Sequence, residues 1–205
     1  MATQLVDGPK TAAKTFLFAH GAGAPMDSPF MQRVAEGVAK SGVRVIRFEF
    51  PYMQRRRETG KRGAPDPPPV LMQSFRDAIE GAGGGSKLVI GGKSMGGRIA
   101  SMVADDAGVL GLVCLGYPFH PPGRLEKTRT SHLENLRTPT LILQGTRDSF
   151  GSREDVRGYR LSNAIQIEWL EDGDHSFKPR VRSGRTEADN VRAAIALAAE
   201  FIAQA

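Results

Sequence analysis

The stretch from Leu88 to Ala100 reads L-V-I-G-G-K-S-M-G-G-R-I-A, and Gly92, Ser94 and Gly96 within it spell G-x-S-x-G. A serine at this spacing suits nucleophilic catalysis. Side chains two residues to either side would collide with the strand entering a sharp turn and the helix leaving it, so glycine belongs at both places. Such a turn lifts the hydroxyl clear of its surroundings at a helix N-terminus, where backbone amides and the helix dipole favour a developing anion. A serine hydroxyl is a weak nucleophile at neutral pH and needs a base that is itself oriented by an acid. The chemistry expected of Ser94 is acyl transfer. Two nucleotide readings of the same glycines fail. A phosphate loop ending in G-K-S needs glycine where Lys87 stands, and the dinucleotide pattern begun at Gly21 or Gly83 is broken by Met26 or Leu88.

The acid and the base are sought beyond Ser94, in the order serine, acid, histidine. The apolar run T-L-I-L leads into Q-G-T-R-D, which puts Asp148 in a loop at a strand end. The next run, I-Q-I-E-W-L, leads into E-D-G-D-H, which does the same for His175. Glu171, Asp172 and Asp174 lie too close to His175 in sequence for the acid's part and read as turn formers. Of the other histidines, His20 in F-A-H-G-A-G-A is expected to hold its loop by hydrogen bonds. His120 in G-Y-P-F-H-P-P-G is a candidate substrate contact, and His132 is expected on a helix surface. An oxyanion needs two amides: Met95, after the serine, offers one, and Ala22 or alternatively Gly23 offers the other.

These residues require elements that bring them together. Six β-branched or aromatic-rich runs bounded by turn residues read as buried strands: 15–19, 43–48, 87–90, 111–115, 140–143 and 165–170. Between them lie helical signals over 28–40, 69–82, 97–107, 129–136, 153–161 and 187–204. The span 51–69 holds prolines and basic residues without periodicity and reads as a long loop. Strand and helix alternate, which implies right-handed crossovers and a mostly parallel sheet covered on both faces, so the fold class is α/β. Neighbouring parallel strands end on the same side, so Ser94, Asp148 and His175 are expected to converge at one sheet edge.

The stretches F-A-H-G-A-G-A, F-E-F-P-Y-M-Q-R-R-R, G-G-K-S-M-G-G-R, G-Y-P-F-H-P-P-G and G-T-R-D together resemble the α/β-hydrolase superfamily, from Thr15 to Gln204. More narrowly, the chain is similar to small lid-less dienelactone-hydrolase-like proteins, a group with the bacterial relatives of testis-expressed protein 30 and of nonspecific lethal complex subunit 3. The resemblance implies the Ser94, Asp148, His175 triad. Dienelactone hydrolases themselves carry cysteine where this chain has Ser94, which counts against that one activity. Residues 117–136 leave room for a loop and a short helix but no lid, so the site is expected to be open.

Charge and composition bound the rest. The 205 residues suit one domain, 1–205, with residues 1–14 a poorly ordered or edge segment. At 40% hydrophobic and 24% charged the composition is that of a globular protein, and a disordered one is excluded. Cys114 is the single cysteine, so no disulfide closes within the chain, and no run is apolar enough for a signal or membrane helix; a cytoplasmic location is expected. The net charge is +6, and the basic stretches 55–62 and 178–185 carry more than that whole excess. With Lys93, Arg98, Arg124 and Arg147 they gather near the ends of the same strands, either as a rim that draws in anionic substrates or as a solvated basic surface. Arg98 and Arg56 are the substrate contacts expected from that rim. The basic loops lack the aromatic residues that stack on single strands, which argues against a nucleic-acid partner. The reading is a serine hydrolase of carboxylic esters or thioesters with small or anionic substrates, needing no metal or organic cofactor. The alternative is an interaction protein that keeps the fold without the chemistry. Oligomeric state is not legible.

Overall fold

The computed structural model describes residues 4–205. Its strands are β1 (Gln4–Asp7), β2 (Thr15–Ala19), β3 (Arg44–Phe48), β4 (Leu88–Lys93), β5 (Gly111–Leu115), β6 (Thr140–Gly145) and β7 (Ile165–Leu170). They form one sheet in the order β1-β3-β2-β4-β5-β6-β7, parallel throughout except for β1 on β3. The helices are α1 (Pro29–Ala39), α2 (Pro51–Thr59), α3 (Pro68–Gly81), α4 (Met95–Ala107), α5 (Arg153–Val156) and α6 (Glu187–Gln204). This is the α/β-hydrolase fold.

The period of two along the central strands sorts the core into two layers. Phe16, Phe18, Val89 and Val113 point to the face covered by α1 and α6. Leu17, Ala19, Ile90 and Cys114 point to the face covered by α3 and α4. Both faces are buried, which is why these strands read as continuous apolar runs. No helix among the described residues is long and apolar enough to cross a membrane.

Several boundaries differ from expectation. Residues 51–59 form α2, where a loop was expected. Pro51 sits at the first helical position, where its fixed φ and missing N–H cost nothing, and Gly60 ends the helix in the left-handed region at φ 68°. Only Tyr52 and Met53 of this helix are buried, so no apolar stripe betrays it. Residues 60–67 are irregular before α3 begins. The helical signal over 153–161 yields a single turn, α5, and that over 129–136 a short 3-10 segment at Ser131–Asn135. The N-terminal stretch contributes the antiparallel edge strand β1; residues 1–3 lie outside the described part of the chain.

Two features of topology place the site. After β2 the chain passes to β3 on one side, then crosses back to β4 on the other, so the carboxyl ends of β2 and β4 adjoin where the connections diverge. Crevices of open α/β sheets lie at such points. Between β5 and β6, residues 116–139 supply a loop and one 3-10 segment and no lid.

Edge strand β1 is held by more than its ladder. Arg47 is almost wholly buried, and its Nε and Nη2 donate to Asp7 Oδ2 at 3.1 and 2.9 Å while Nη1 donates to Met26 O at 2.9 Å. Replacing Arg47 with alanine should lower unfolding free energy by about 2 kcal/mol, the scale of charge-assisted hydrogen bonds. The β1 amides that donate to β3 should then exchange hydrogen faster while those of β4 change little. Unaltered exchange at those β1 amides would contradict the clamp.

Candidate active site

Ser94 joins β4 to α4 at φ 52° and ψ −115°, a conformation that L-residues seldom adopt. The glycines around it are obligatory for packing reasons. A β-carbon on Gly92 would stand 2.4 Å from the carbonyl carbon of Gly96, and one on Gly96 would stand 2.6 Å from the carbonyl oxygens of Ala19 and His20. The turn is closed by Ser94 N donating to Leu115 O at 3.0 Å and Arg98 N donating to Ser94 O at 3.0 Å. As the first residue of α4, Met95 has an amide without an intrahelical acceptor.

The structure brings Ser94, His175 and Asp148 into one hydrogen-bonded chain. Ser94 Oγ lies 2.9 Å from His175 Nε2, and His175 Nδ1 lies 2.8 Å from Asp148 Oδ2. An ionised Asp148 can only accept, so Nδ1 carries the ring proton and Nε2 is free to accept from Ser94. Asp148 is fully buried, and the acceptor capacity it does not spend on His175 is met by Gln144 Nε2 at 3.0 Å and Phe150 N at 2.8 Å. The Phe150 ring lies against the His175 imidazole, centroids 4.3 Å apart.

Three buried or half-buried polar residues set this geometry: Gln144 and Asn190, which sequence reasoning passed over, and Lys93, which it placed in the basic rim. Gln144, at the end of β6, holds Asp148 while its Oε1 accepts from Tyr117 N at 2.7 Å and its Nε2 reaches Gly151 O at 3.0 Å. A polar residue closing the run T-L-I-L-Q was the available signal. Asn190, fully buried in α6, donates to Glu171 O and Phe177 O at 3.1 and 2.9 Å and so ties down both flanks of the His175 loop. Its signal was an amide on the apolar face of an alanine-rich helix. Lys93 ends β4 and donates from Nζ to His175 O at 2.5 Å, between the rings of Phe30 and Phe177 at 5.6 Å each. Burial pulls its pKa down to about 8, although Asp148 and Asp174 act to raise it. Lys93 is therefore no part of a solvated rim.

Loop 20–24, after β2, forms the opposite wall. His20 is buried and donates from Nδ1 to Gly21 O at 2.7 Å, while its Nε2 accepts from Phe50 N at 3.1 Å. Burial keeps this imidazole neutral, with its pKa below the ordinary value. Tyr52, whose phenol burial pushes well above its usual range, donates to Ala22 O at 3.0 Å. A cavity of about 320 Å³ opens in front of Ser94, lined by Ala22, Met95, Arg98, Arg129, Phe150 and Leu71 among others. A larger hollow, about 680 Å³, lies by β1 and α3 away from Ser94, and no histidine lines it.

Other expected residues fall elsewhere. His120 does not face the cavity: it is buried, with Nδ1 against Pro121 O at 2.9 Å and Nε2 3.5 Å from Asp155 Oδ2, because its backbone pairs with Phe150 and turns the ring inward. Arg56 lines a separate hollow of about 170 Å³ with Pro25, Glu49, Met53 and Arg57, since α2 carries it away from Ser94. Gly23 does not line the cavity, whereas Ala22 does. His132 is half-buried rather than a surface residue, with Nε2 2.9 Å from Ser101 Oγ and 3.3 Å from Tyr117 OH. This Ser101–His132 pair is a poor candidate nucleophile and base. Ser101 spends its proton on Arg98 O at 2.7 Å and Tyr117 spends its own on Arg129 O at 3.0 Å, so His132 must donate to them.

The basic rim is also corrected. Arg57 bonds Glu49 and Asp27, Arg55 bonds Asp66, and Asp172 collects Arg180 and Arg147. Arg55, Arg57, Arg147 and Arg180 of the expected rim are thus matched by carboxylates rather than left as free charge.

The sequence profile of the family described as Alpha/beta hydrolase domain matches residues 12–203. A dienelactone hydrolase from Anabaena variabilis superposes with a TM-score of 0.74 at 19% identity, covering 98% of this chain and 90% of that one. A serine hydrolase homologue from Coxiella burnetii gives 0.68 at 20% identity, covering 94% and 89%. A lid-less α/β serine hydrolase from Xanthomonas campestris gives 0.64 at 18% identity, covering 94% and 85%. At these identities the likeness is one of fold.

Lys93 yields a stability test. Its folded pKa of about 8 lies below the ordinary 10.5, so between these values the unfolded chain binds the extra proton. Stability contributed through Lys93 therefore rises as pH increases across that window. Compared with Lys93→Met, the wild type should gain in thermal midpoint between pH 7.5 and 10, measured side by side. A difference that does not vary with pH would contradict the assignment.

Proposed function

The chain belongs to the alpha/beta hydrolase domain family, and on that premise we propose that it is a serine hydrolase of carboxylic esters or thioesters, working through an acyl-enzyme on Ser94. The observation that carries the reading is the continuous path from Ser94 Oγ through His175 to Asp148 at the N-terminus of α4. A fold kept only as an interaction surface has no physical need for that path.

In this reading Ser94 Oγ attacks the carbonyl carbon of the substrate as His175 Nε2 takes the hydroxyl proton. Asp148 stabilises the resulting imidazolium and holds its orientation without itself taking the proton. The carbonyl oxygen, now an oxyanion, is received by the amides of Met95 and Ala22. Peptide planarity supports Ala22 in that part: with Gly21 O accepting from His20 Nδ1, the Ala22 N–H points the opposite way. Collapse of the intermediate breaks the bond to the alkoxide or thiolate leaving group, which departs with the proton from His175. Water, deprotonated by the same imidazole, then attacks the acyl-enzyme, and release of the acid restores Ser94. Each oxyanion donor is worth about 3 kcal/mol of barrier in such sites.

The narrower likeness, to lid-less dienelactone-hydrolase-like proteins and the relatives of testis-expressed protein 30 and nonspecific lethal complex subunit 3, belongs to this proposal too. The open cavity and the short connection between β5 and β6 support it. A cytoplasmic setting agrees with the lone Cys114, a buried free thiol that burial keeps protonated.

A fluorophosphonate probe should label the wild type and Ser101→Ala but not Ser94→Ala. Labelling that persists without Ser94, or none in folded wild-type protein, would overturn the proposal. Asp148→Asn should lower kcat on a p-nitrophenyl ester by about 10⁴-fold, because the wrong tautomer of His175 then faces Ser94. A loss below tenfold would remove Asp148 from the mechanism.

A further inference from the structure

Arg98 and Arg129 reach the Ser94 cavity from different elements. Arg98 stands in the first turn of α4, four residues after Ser94, and Arg129 lies in the connection between β5 and β6. Both are half-buried. Several arginines discussed above have carboxylate partners, as Arg57 has in Glu49 and Asp27 and Arg180 in Asp172, while Arg56 and Arg124 do not line the Ser94 cavity. Neither Arg98 nor Arg129 forms an ion pair among the described residues, and Arg98 Nε is buried with no hydrogen-bond partner. The two guanidinium groups feel each other: burial and then the charge of Arg98 pull Arg129 below its ordinary value, and the same two causes lower His132. His132 is thus neutral and spends its Nε2–H on Ser101, so it supplies no counter-charge.

Adjacent like charges, partly withdrawn from water, are costly until an opposite charge enters. The one carboxylate lining the cavity, Asp66, is held by Arg55 at 2.5 Å, and its field acts on Tyr52, on the side of loop 20–24. The cavity therefore has a positive wall and a wall whose charge is already matched. We propose that Arg98 and Arg129 form an anion subsite, and that the ester or thioester presented to Ser94 carries a carboxylate. Two planar forks meet a carboxylate's oxygens with directed, charge-assisted bonds, which a single ammonium would not. A volume of about 320 Å³ suits a small substrate. The inference rests on Ser94 as the nucleophile, and it goes beyond that reading by naming what the substrate carries and what holds it.

The test compares mono-p-nitrophenyl succinate with p-nitrophenyl butyrate on wild type, Arg98→Gln, Arg129→Gln and Arg129→Lys, each checked for an unshifted melting temperature. The ratio of kcat/KM values should favour the carboxylate ester by about tenfold or more in wild type. It should fall towards one in both glutamine variants and be partly kept in Arg129→Lys. A ratio near one in wild type, or one that neither glutamine substitution moves, overturns the subsite. An arm independent of turnover titrates Ser94→Ala protein with monomethyl succinate by NMR, with inorganic phosphate as competitor. Weaker binding on adding Arg129→Gln supports the proposal; equal binding overturns it, and phosphate binding as tightly as the ester overturns the choice of carboxylate. Fluorophosphonate labelling of the same preparations separates the two failures. Labelled protein with a ratio near one retires the subsite alone. Unlabelled protein retires the nucleophile, and the titration still decides the subsite.

Discussion

Ser94 can hold φ 52° and ψ −115° only because no side chain stands on the α-carbons two residues to either side. At Gly92 the neighbours are the backbone of the helix that leaves the turn, and at Gly96 they are the carbonyls of Ala19 and His20. Strand β4, helix α4 and the end of β2 therefore approach as closely as backbone allows, and the rest of the site is referred to that contact. It brings loop 20–24 beside the serine, puts the Met95 amide at the head of a helix, and leaves the hydroxyl standing over the crevice. A strained residue persists only where its surroundings over-determine it, and here three elements converge to do so.

Around this fixed point the histidine and its acid sit on loops, and loops need restraints. Gln144 satisfies Asp148 and three backbone groups at once, so the buried carboxylate is held without a compensating cation in contact. Asn190 reaches from α6 to both sides of the His175 loop. Lys93 grips the His175 carbonyl from the strand that carries the serine, which couples the two halves of the hydrogen-bonded chain through a group whose own charge is disfavoured by burial. Polar residues at such depth are costly unless fully bonded, and those that are fully bonded rigidify what they touch.

The charge distribution shows the difference between counting and placing. Two basic stretches carry more than the net charge, yet folding delivers acids to three of their arginines: Asp27 and Glu49 to Arg57, Asp66 to Arg55, Asp172 to Arg180. What is left facing Ser94 is a pair of arginines that neither stretch contains. Their proximity joins the first turn of α4 to a connection some thirty residues on; Arg98 was expected there from its place after Ser94, whereas no composition window would single out Arg129.

The alternation of apolar runs with helical signals, and the glycines about Ser94, determined the fold class and the elbow, because strand period and turn sterics are local properties of the chain. The positions of Asp148 and His175 just after apolar runs were legible for the same reason: parallel neighbours end on one side. Helix α2 was not legible, since it buries only Tyr52 and Met53 and so has no apolar period to read. Neither His120 nor His132 takes its expected surroundings, one being buried beside Asp155 and the other turned inward to Ser101, because side-chain direction after a strand depends on which backbone groups meet it there. Only the tertiary structure could decide which charges are cancelled, which polar groups brace the chain from Ser94 to Asp148 and which arginines near Ser94 stand without an acid. Those are properties of residues far apart in sequence, and Coulomb forces and hydrogen bonds act on distance in space, which the order of residues does not state.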